Sequence, residues 1–350
     1  MQTRKKAVFN TVFLFAVFGF TIYGVFHGED IEAMMDAIKE TDLRWLVPGI
    51  FLVIFFIWCE SMIIWYMMRS FHIRLKKRIC FLFSSVGFFF SCITPSASGG
   101  QPMQIYYMKK EKIPIPVSTV ILMIVTITYK LVLVVTGVGV LVLGQNFCHR
   151  YLEDILPVFY LGLVLNIFCV TFMTVLVFHP VLAEKIIMIG REWMEKLRLL
   201  KRKEERIRKL QDSMEVYRQT ASYLGEHKKV LIHVILITFI QRFALFSVTW
   251  FVYRAFHLSG SSAWDVILLQ AVISVSVDML PLPGGMGISE KLFLTIFAPV
   301  FGSVLLSGMV LSRGLAYYSQ LLISAFFTVV MQLGCRKRHG SGKNETIQKD

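Results

Sequence analysis

The sequence predicts an all-α integral membrane protein. Six full transmembrane helices and two re-entrant broken-helix hairpins form an inverted repeat, with both termini cytoplasmic. Three observations predict it: six apolar stretches of spanning length, two more interrupted by Pro, Gly and Ser, and a one-sided placement of Lys and Arg among the loops. Composition agrees, since 55% of the 350 residues are hydrophobic and only 17% are charged, which excludes an ordinary water-soluble enzyme. The net charge of +14 is therefore read by position, and no nucleic-acid partner is expected.

The full spans are residues 7–26, 45–68, 117–143, 155–178, 229–254 and 304–332, each apolar over the roughly 20 residues that cross a ~30 Å hydrocarbon core. The first follows Arg4, Lys5 and Lys6 as a signal peptide would. It is too long for one and lacks a small-residue cleavage site, so it reads as an anchor.

Two further apolar pieces, about 80–108 and 265–301, are broken near their middles. The interruptions read Thr94-Pro-Ser-Ala-Ser-Gly-Gly-Gln-Pro102 and Leu280-Pro-Leu-Pro-Gly-Gly-Met-Gly-Ile-Ser-Glu290. Proline removes a donor and blocks the preceding turn, while glycine adds backbone freedom, so neither piece is a continuous helix. Broken backbone at membrane depth needs a cover of protein or water.

Loop charges orient these pieces. Residues 27–44 carry six acids and two bases and belong outside, whereas 69–79 carry Arg69, Arg74, Lys76, Lys77 and Arg78 without an acid and belong inside. The basic loop at 179–228 is also inside only if the first broken piece enters from the cytoplasm and returns there. The second must then dip from the external face. Broken segments at corresponding places in two halves point to a transporter's midplane site.

The chain reads as one transmembrane domain, 1–335, with a cytoplasmic insertion at 180–228 and a disordered basic tail at 336–350. Ile189, Trp193, Leu197, Leu200, Ile207, Leu210, Met214, Tyr217, Ala221 and Leu224 give the insertion a helical apolar face. Eight bases between Lys196 and Lys209 suit the anionic inner leaflet. Two readings stand: a solvated linker whose bases enforce topology, or a helix that recruits lipid or a partner.

Glu60, Lys130, Arg242, Asp278, Glu290 and Arg313 sit in or beside apolar segments, where each costs about 2.5–3.5 kcal/mol at a helix centre. Three acids and three bases permit mutual pairing, and they equally permit a substrate site. The half-helices after the Gly-Gly turns begin with unpaired N–H groups and the positive dipole end, which suits an anion such as a lipid phosphate. Ser96, Ser98, Gly99, Gly100 and Gln101 are the candidates at the first turn; Gly284, Gly285, Gly287, Ser289 and Glu290 are those at the second. Lys130, Arg242, Arg313 and Tyr317 complete the set.

Six scattered cysteines and eight histidines show no metal-ligand spacing, and no cofactor or catalytic residue is expected.

The two motifs, with Arg313 and Tyr317, resemble the lysylphosphatidylglycerol synthase transmembrane family, the flippase-like domain of the bacterial multiple peptide resistance factor. The resemblance covers about residues 5–335. It implies a multi-pass protein of the bacterial cytoplasmic membrane that moves phosphatidylglycerol or aminoacylated phosphatidylglycerol between leaflets, an activity tied to antimicrobial peptide resistance. Lys130 stands where the resemblance implies an arginine. Lysyl transfer is not expected, because the aminoacyltransferase domain of the two-domain members does not follow. The expected partners are membrane phospholipid, the anionic inner leaflet through 196–209, and a second copy of the chain. A secondary transporter of a small anion or lipid-linked sugar is the rival reading, as is a membrane partner of a separately encoded synthase.

Overall fold

The computed structural model describes residues 31–94, 97–196, 204–282 and 285–347. The expected span at 7–26, Ser96, Gly284 and part of the basic run from Lys196 to Lys209 lie outside the described residues. Among the described residues every regular element is helical.

Helix α1 (Ile31–Lys39) leads to α2 (Leu43–Ser70), whose start is fixed by Asp42 accepting the Arg44 N–H at 2.9 Å. The first broken piece is α3 (Lys77–Ile93) and α4 (Gly100–Lys110). Thr94 is extended, as a residue before proline should be, and its Oγ1 accepts the Gly99 N–H at 2.9 Å across the break. Helix α5 (Ile115–Leu143) carries Pro116 in its first turn, where a missing N–H costs nothing. Short α6 (Gln145–Tyr151) and a 3₁₀ turn (Glu153–Ile155) precede α7 (Leu156–Phe178).

The insertion forms α8 (Pro180–Lys196) and α9 (Glu204–Glu226), followed by α10 (Lys228–Ala255). The second broken piece is α11 (Ala263–Val277) and α12 (Ile288–Ile296). Short α13 (Ala298–Phe301) and a 3₁₀ turn (Gly302–Val304) join it to α14 (Leu305–Arg313), a π segment (Gly314–Tyr318) and α15 (Ser319–Ile347). The expected span at 304–332 is thus interrupted by a π segment directly after Arg313, and α15 continues over the stretch that composition reads as a tail.

Five stretches are long and apolar enough to cross a membrane: Leu43–Ser70, Ile115–Val142, Glu153–Phe178, Lys228–Ala255 and Ala298–Leu333. They match five of the six expected spans.

The core is split in two. One cluster holds Val53, Leu133, Phe246 and much of α11 and α12; the other holds Ile64, Phe83, Met108 and Val120. Helices α2, α5 and α10 each contribute one end to each cluster. Between the clusters the same helices carry polar residues: Glu60, Thr126 to Lys130, and Thr238 to Arg242. The first broken piece packs in one cluster and the second in the other.

Within each broken piece the halves fold back on one another. A Cβ on Gly100 would lie 2.7 Å from the Gly87 carbonyl oxygen, so α3 and α4 meet at backbone distance and only glycine fits. In the second piece Gly285 (φ 69°) and Gly287 (φ 85°) take left-handed turns that side chains resist.

The insertion docks rather than floats. Met214, Tyr217, Ala221 and Leu224 on α9 are buried, and the Tyr217 and Tyr223 hydroxyls donate to the carbonyls of Leu176 and Ser70 at 3.1 and 2.9 Å. Ile189 and Trp193 on α8 stay exposed, so the continuous apolar face expected from spacing is divided between two helices with different surroundings.

Candidate functional site

A cavity of about 570 Å³ opens between the two core clusters. Helices α2, α5 and α10 supply its polar walls, and both broken pieces complete it. Five of the six charges in apolar segments line it: Glu60, Lys130, Arg242, Asp278 and Arg313. The sixth, Glu290, reaches it through Arg313. Residues from sequence positions as distant as 60 and 313 therefore share one space.

Two ion pairs form. Lys130 Nζ donates to Asp278 Oδ2 at 2.5 Å, and the Tyr129 hydroxyl donates to the other oxygen of that carboxylate. Arg313 Nε donates to Glu290 Oε1 at 2.8 Å. Buried pairs of this kind have most of their desolvation cost offset by the partner, which is why breaking one is expensive.

Glu290 also fixes the second turn. Its Oε2 accepts the Gly287 N–H at 2.7 Å and the Ser289 hydroxyl at 2.8 Å. The start of α12 is therefore capped by the protein's own carboxylate. The Gly287 N–H and Ser289 hydroxyl, expected as ligand donors, here donate to Glu290, and Ser289 lines the cavity. Gly285 does line the cavity, with the site for a Cβ lying 3.0 Å from Val277 Cγ2.

The first turn differs. The start of α4 has no side-chain cap, and Ala97, Ser98 and Gln101 line the cavity beside it. Gly99 is the residue before the helix and Gly100 its first member. Gln101 is held sideways, its amide donating to Thr126 Oγ1 on α5. Tyr317 closes the space between the pieces: its hydroxyl donates to the Cys92 carbonyl on α3 at 2.9 Å, and Arg313 lies 4.7 Å over its ring.

Arg242 is the exception among the cations. It is only 7% exposed, and among the described residues it forms no salt bridge. Its guanidinium stacks 4.1 Å from the Tyr129 ring centre and 5.4 Å from that of Phe246, and its Nε is buried without a hydrogen-bond partner. A buried guanidinium is sustained by aromatic faces and by whatever enters the cavity.

Several wall residues carry no motif. Gln104 Nε2 donates to Glu60 Oε1 at 2.9 Å, Gln241 Nε2 donates to the Phe56 carbonyl at 2.9 Å, and Thr249 Oγ1 donates to Gln270 Oε1 at 2.9 Å. Ser312 Oγ is buried in the wall without a partner. Gln101 and Gln104 stand three apart on one face of a helix in an apolar run, the signal from which Gln104 is recoverable. Tyr129 beside Lys130 is another.

A polar cavity walled by long apolar helices and two broken ones defines a multi-pass helical membrane protein with an internal site. The chain belongs to the family described as the Lysylphosphatidylglycerol synthase TM region, whose model matches residues 8–324. No curated protein matches the chain.

Proposed function

We propose that the protein is a phospholipid transporter that carries an anionic or aminoacylated phosphatidylglycerol-type headgroup between the leaflets of a bacterial cytoplasmic membrane. The observation that carries this reading is Arg242, a buried cation in no salt bridge among the described residues, facing a cavity at the middle of the long helices. A phosphate is a natural partner for a guanidinium, which offers it a planar fork of donors. The cavity's size falls in the range of small-ligand sites, so it suits a headgroup while acyl chains stay in lipid. Ser98 lies in the same wall beside the start of α4 and would add a donor.

In the membrane, this reading has six spans counting 7–26, with both termini cytoplasmic. The two broken pieces enter as re-entrant hairpins from opposite faces. Their packing into separate core clusters, one at each end of the long helices, supports that arrangement. Two inserted half-length pieces meeting at the midplane would let a headgroup pass by local movement of either one. Family membership supports lipid as the substrate class. The reading is transport and not lysyl transfer.

The test is reconstitution. Purified protein in liposomes should render labelled phosphatidylglycerol in the inner leaflet accessible from outside, and R242Q should lose this while remaining folded. Equal leaflet exchange with and without protein would defeat the reading. Full competition by soluble glycerophosphate would move it to small-anion transport, and lysine incorporation into lipid from charged tRNA by this chain alone would replace it with synthesis.

A further inference from the structure

Charge balance in the cavity sets a condition on what may enter. Counted as ionised, the three carboxylates and three cations of the site sum to zero among the described residues. Lys130 with Asp278 and Arg313 with Glu290 are locked in pairs at 2.5 and 2.8 Å. Arg242 and Glu60 remain. Both face the one cavity, where Glu60 lies within electrostatic reach of Arg242 without forming a salt bridge among the described residues. Among the described residues its carboxylate accepts the neutral amide of Gln104, which donates to Oε1 at 2.9 Å.

A phosphate monoanion that binds Arg242 takes over that cation's field. Glu60 would then be a carboxylate on an apolar wall with no compensating charge, and such a group becomes neutral by taking a proton rather than remaining ionised. The other groups facing the cavity do not compete for this role. Asp278 and Glu290 are held by their cations; on α5 the Tyr129 hydroxyl is hydrogen-bonded to Asp278, and in the π segment the Tyr317 hydroxyl is hydrogen-bonded to the Cys92 carbonyl. Cys92 and Cys169 are the cysteines of the wall, and Lys130, Arg242 and Arg313 its basic residues. Intramembrane carboxylates with this exposure to a substrate path are the usual carriers of protons.

We propose that Glu60 is a proton-carrying site tied to occupancy of Arg242, so that each net-anionic phosphodiester headgroup moves together with one proton. The proton comes from solvent on the side where the headgroup enters and leaves to solvent on the other side, and the loaded cavity is neutral throughout. The proposal rests on the transport reading above and adds its coupling ion.

Two measurements on the full chain test it. In weakly buffered detergent with a pH indicator, saturation with short-chain phosphatidylglycerol should draw about one proton per lipid bound into the wild type and none into E60Q, with lipid still bound by both. Binding without proton uptake in the wild type, or unchanged uptake in E60Q, overturns the proposal. In liposomes, an imposed gradient of one pH unit should skew labelled phosphatidylglycerol between leaflets by up to about tenfold for one-to-one coupling. Whatever rate of label movement E60Q retains, its final distribution should show no skew. A wild type that equilibrates the label yet ignores the gradient refutes proton coupling and leaves the transport reading standing. A wild type that neither binds nor moves the lipid removes both.

Discussion

The carboxylate of Glu290 holds Arg313 and the start of α12 at once: Arg313 Nε reaches Oε1 at 2.8 Å, while the Gly287 N–H reaches Oε2 at 2.7 Å. The pair therefore ties α14 to the second broken piece. Truncating Arg313 strands a carboxylate that is 6% exposed. R313A should lose about 3–5 kcal/mol of stability. R313A combined with E290Q should recover part of that loss, as a double-mutant cycle in detergent unfolding would read. An R313A protein as stable as the wild type would show that the pair contributes nothing.

Arg242 should behave in the opposite way, because no salt bridge is broken when it is removed. R242Q is expected to weaken short-chain phosphatidylglycerol binding about tenfold or more, the loss of one charge-assisted bond, with a smaller fall in stability than R313A. R242K should recover little, since an ammonium neither stacks on Tyr129 as a guanidinium does nor offers a fork of donors. Lipid binding by microscale calorimetry, beside thermal unfolding, separates the two effects.

Glycine positions make an internal control. A Cβ at Gly100 would meet Ser91 Oγ at 2.1 Å and the Gly87 carbonyl oxygen at 2.7 Å, whereas at Gly314 nothing lies within 4 Å. G100A should destabilise the protein by about 1–3 kcal/mol through overpacking and a forced backbone shift. G314A should change stability by less than about 0.5 kcal/mol. Equal unfolding temperatures for the two variants would contradict the close approach of α3 and α4.

Alkaline pH should loosen the docked insertion. Burial holds the Tyr217 hydroxyl above its ordinary pKa, so the docked state favours the protonated phenol. Docking strength is therefore constant below about pH 10, where the undocked phenol begins to ionise, and falls as pH rises beyond it. Protease cleavage within 204–226 should increase above that pH in the wild type. Y217F should be cleaved somewhat more readily at neutral pH and show a flatter alkaline response.

Much of the fold is legible in the sequence. Runs of apolar residues set five of the helices, because the free energy of burying about 20 such residues in lipid is a sum over neighbours in the chain. The breaks at Thr94 and before Gly285 are local too, as proline and glycine act on their own and adjacent dihedrals. The six charges inside apolar segments are conspicuous for the same reason, since each carries a cost that something must offset. The π segment after Arg313 is not legible, nor is the division of the insertion into a buried helix and an exposed one. Both depend on what packs beside them.

The sequence alone determined which segments are helical, where two of them break, and that six charges need partners. Only the tertiary structure decided the pairing: Lys130 with Asp278 across 148 residues, Arg313 with Glu290 across 23, and Arg242 in no salt bridge among the described residues. Helix formation and hydrophobic burial are read from nearest-neighbour patterns, but an ion pair depends on the rotation and height at which two separate helices meet. That geometry is fixed by the packing of every side chain between them, and it is what leaves one arginine facing the cavity.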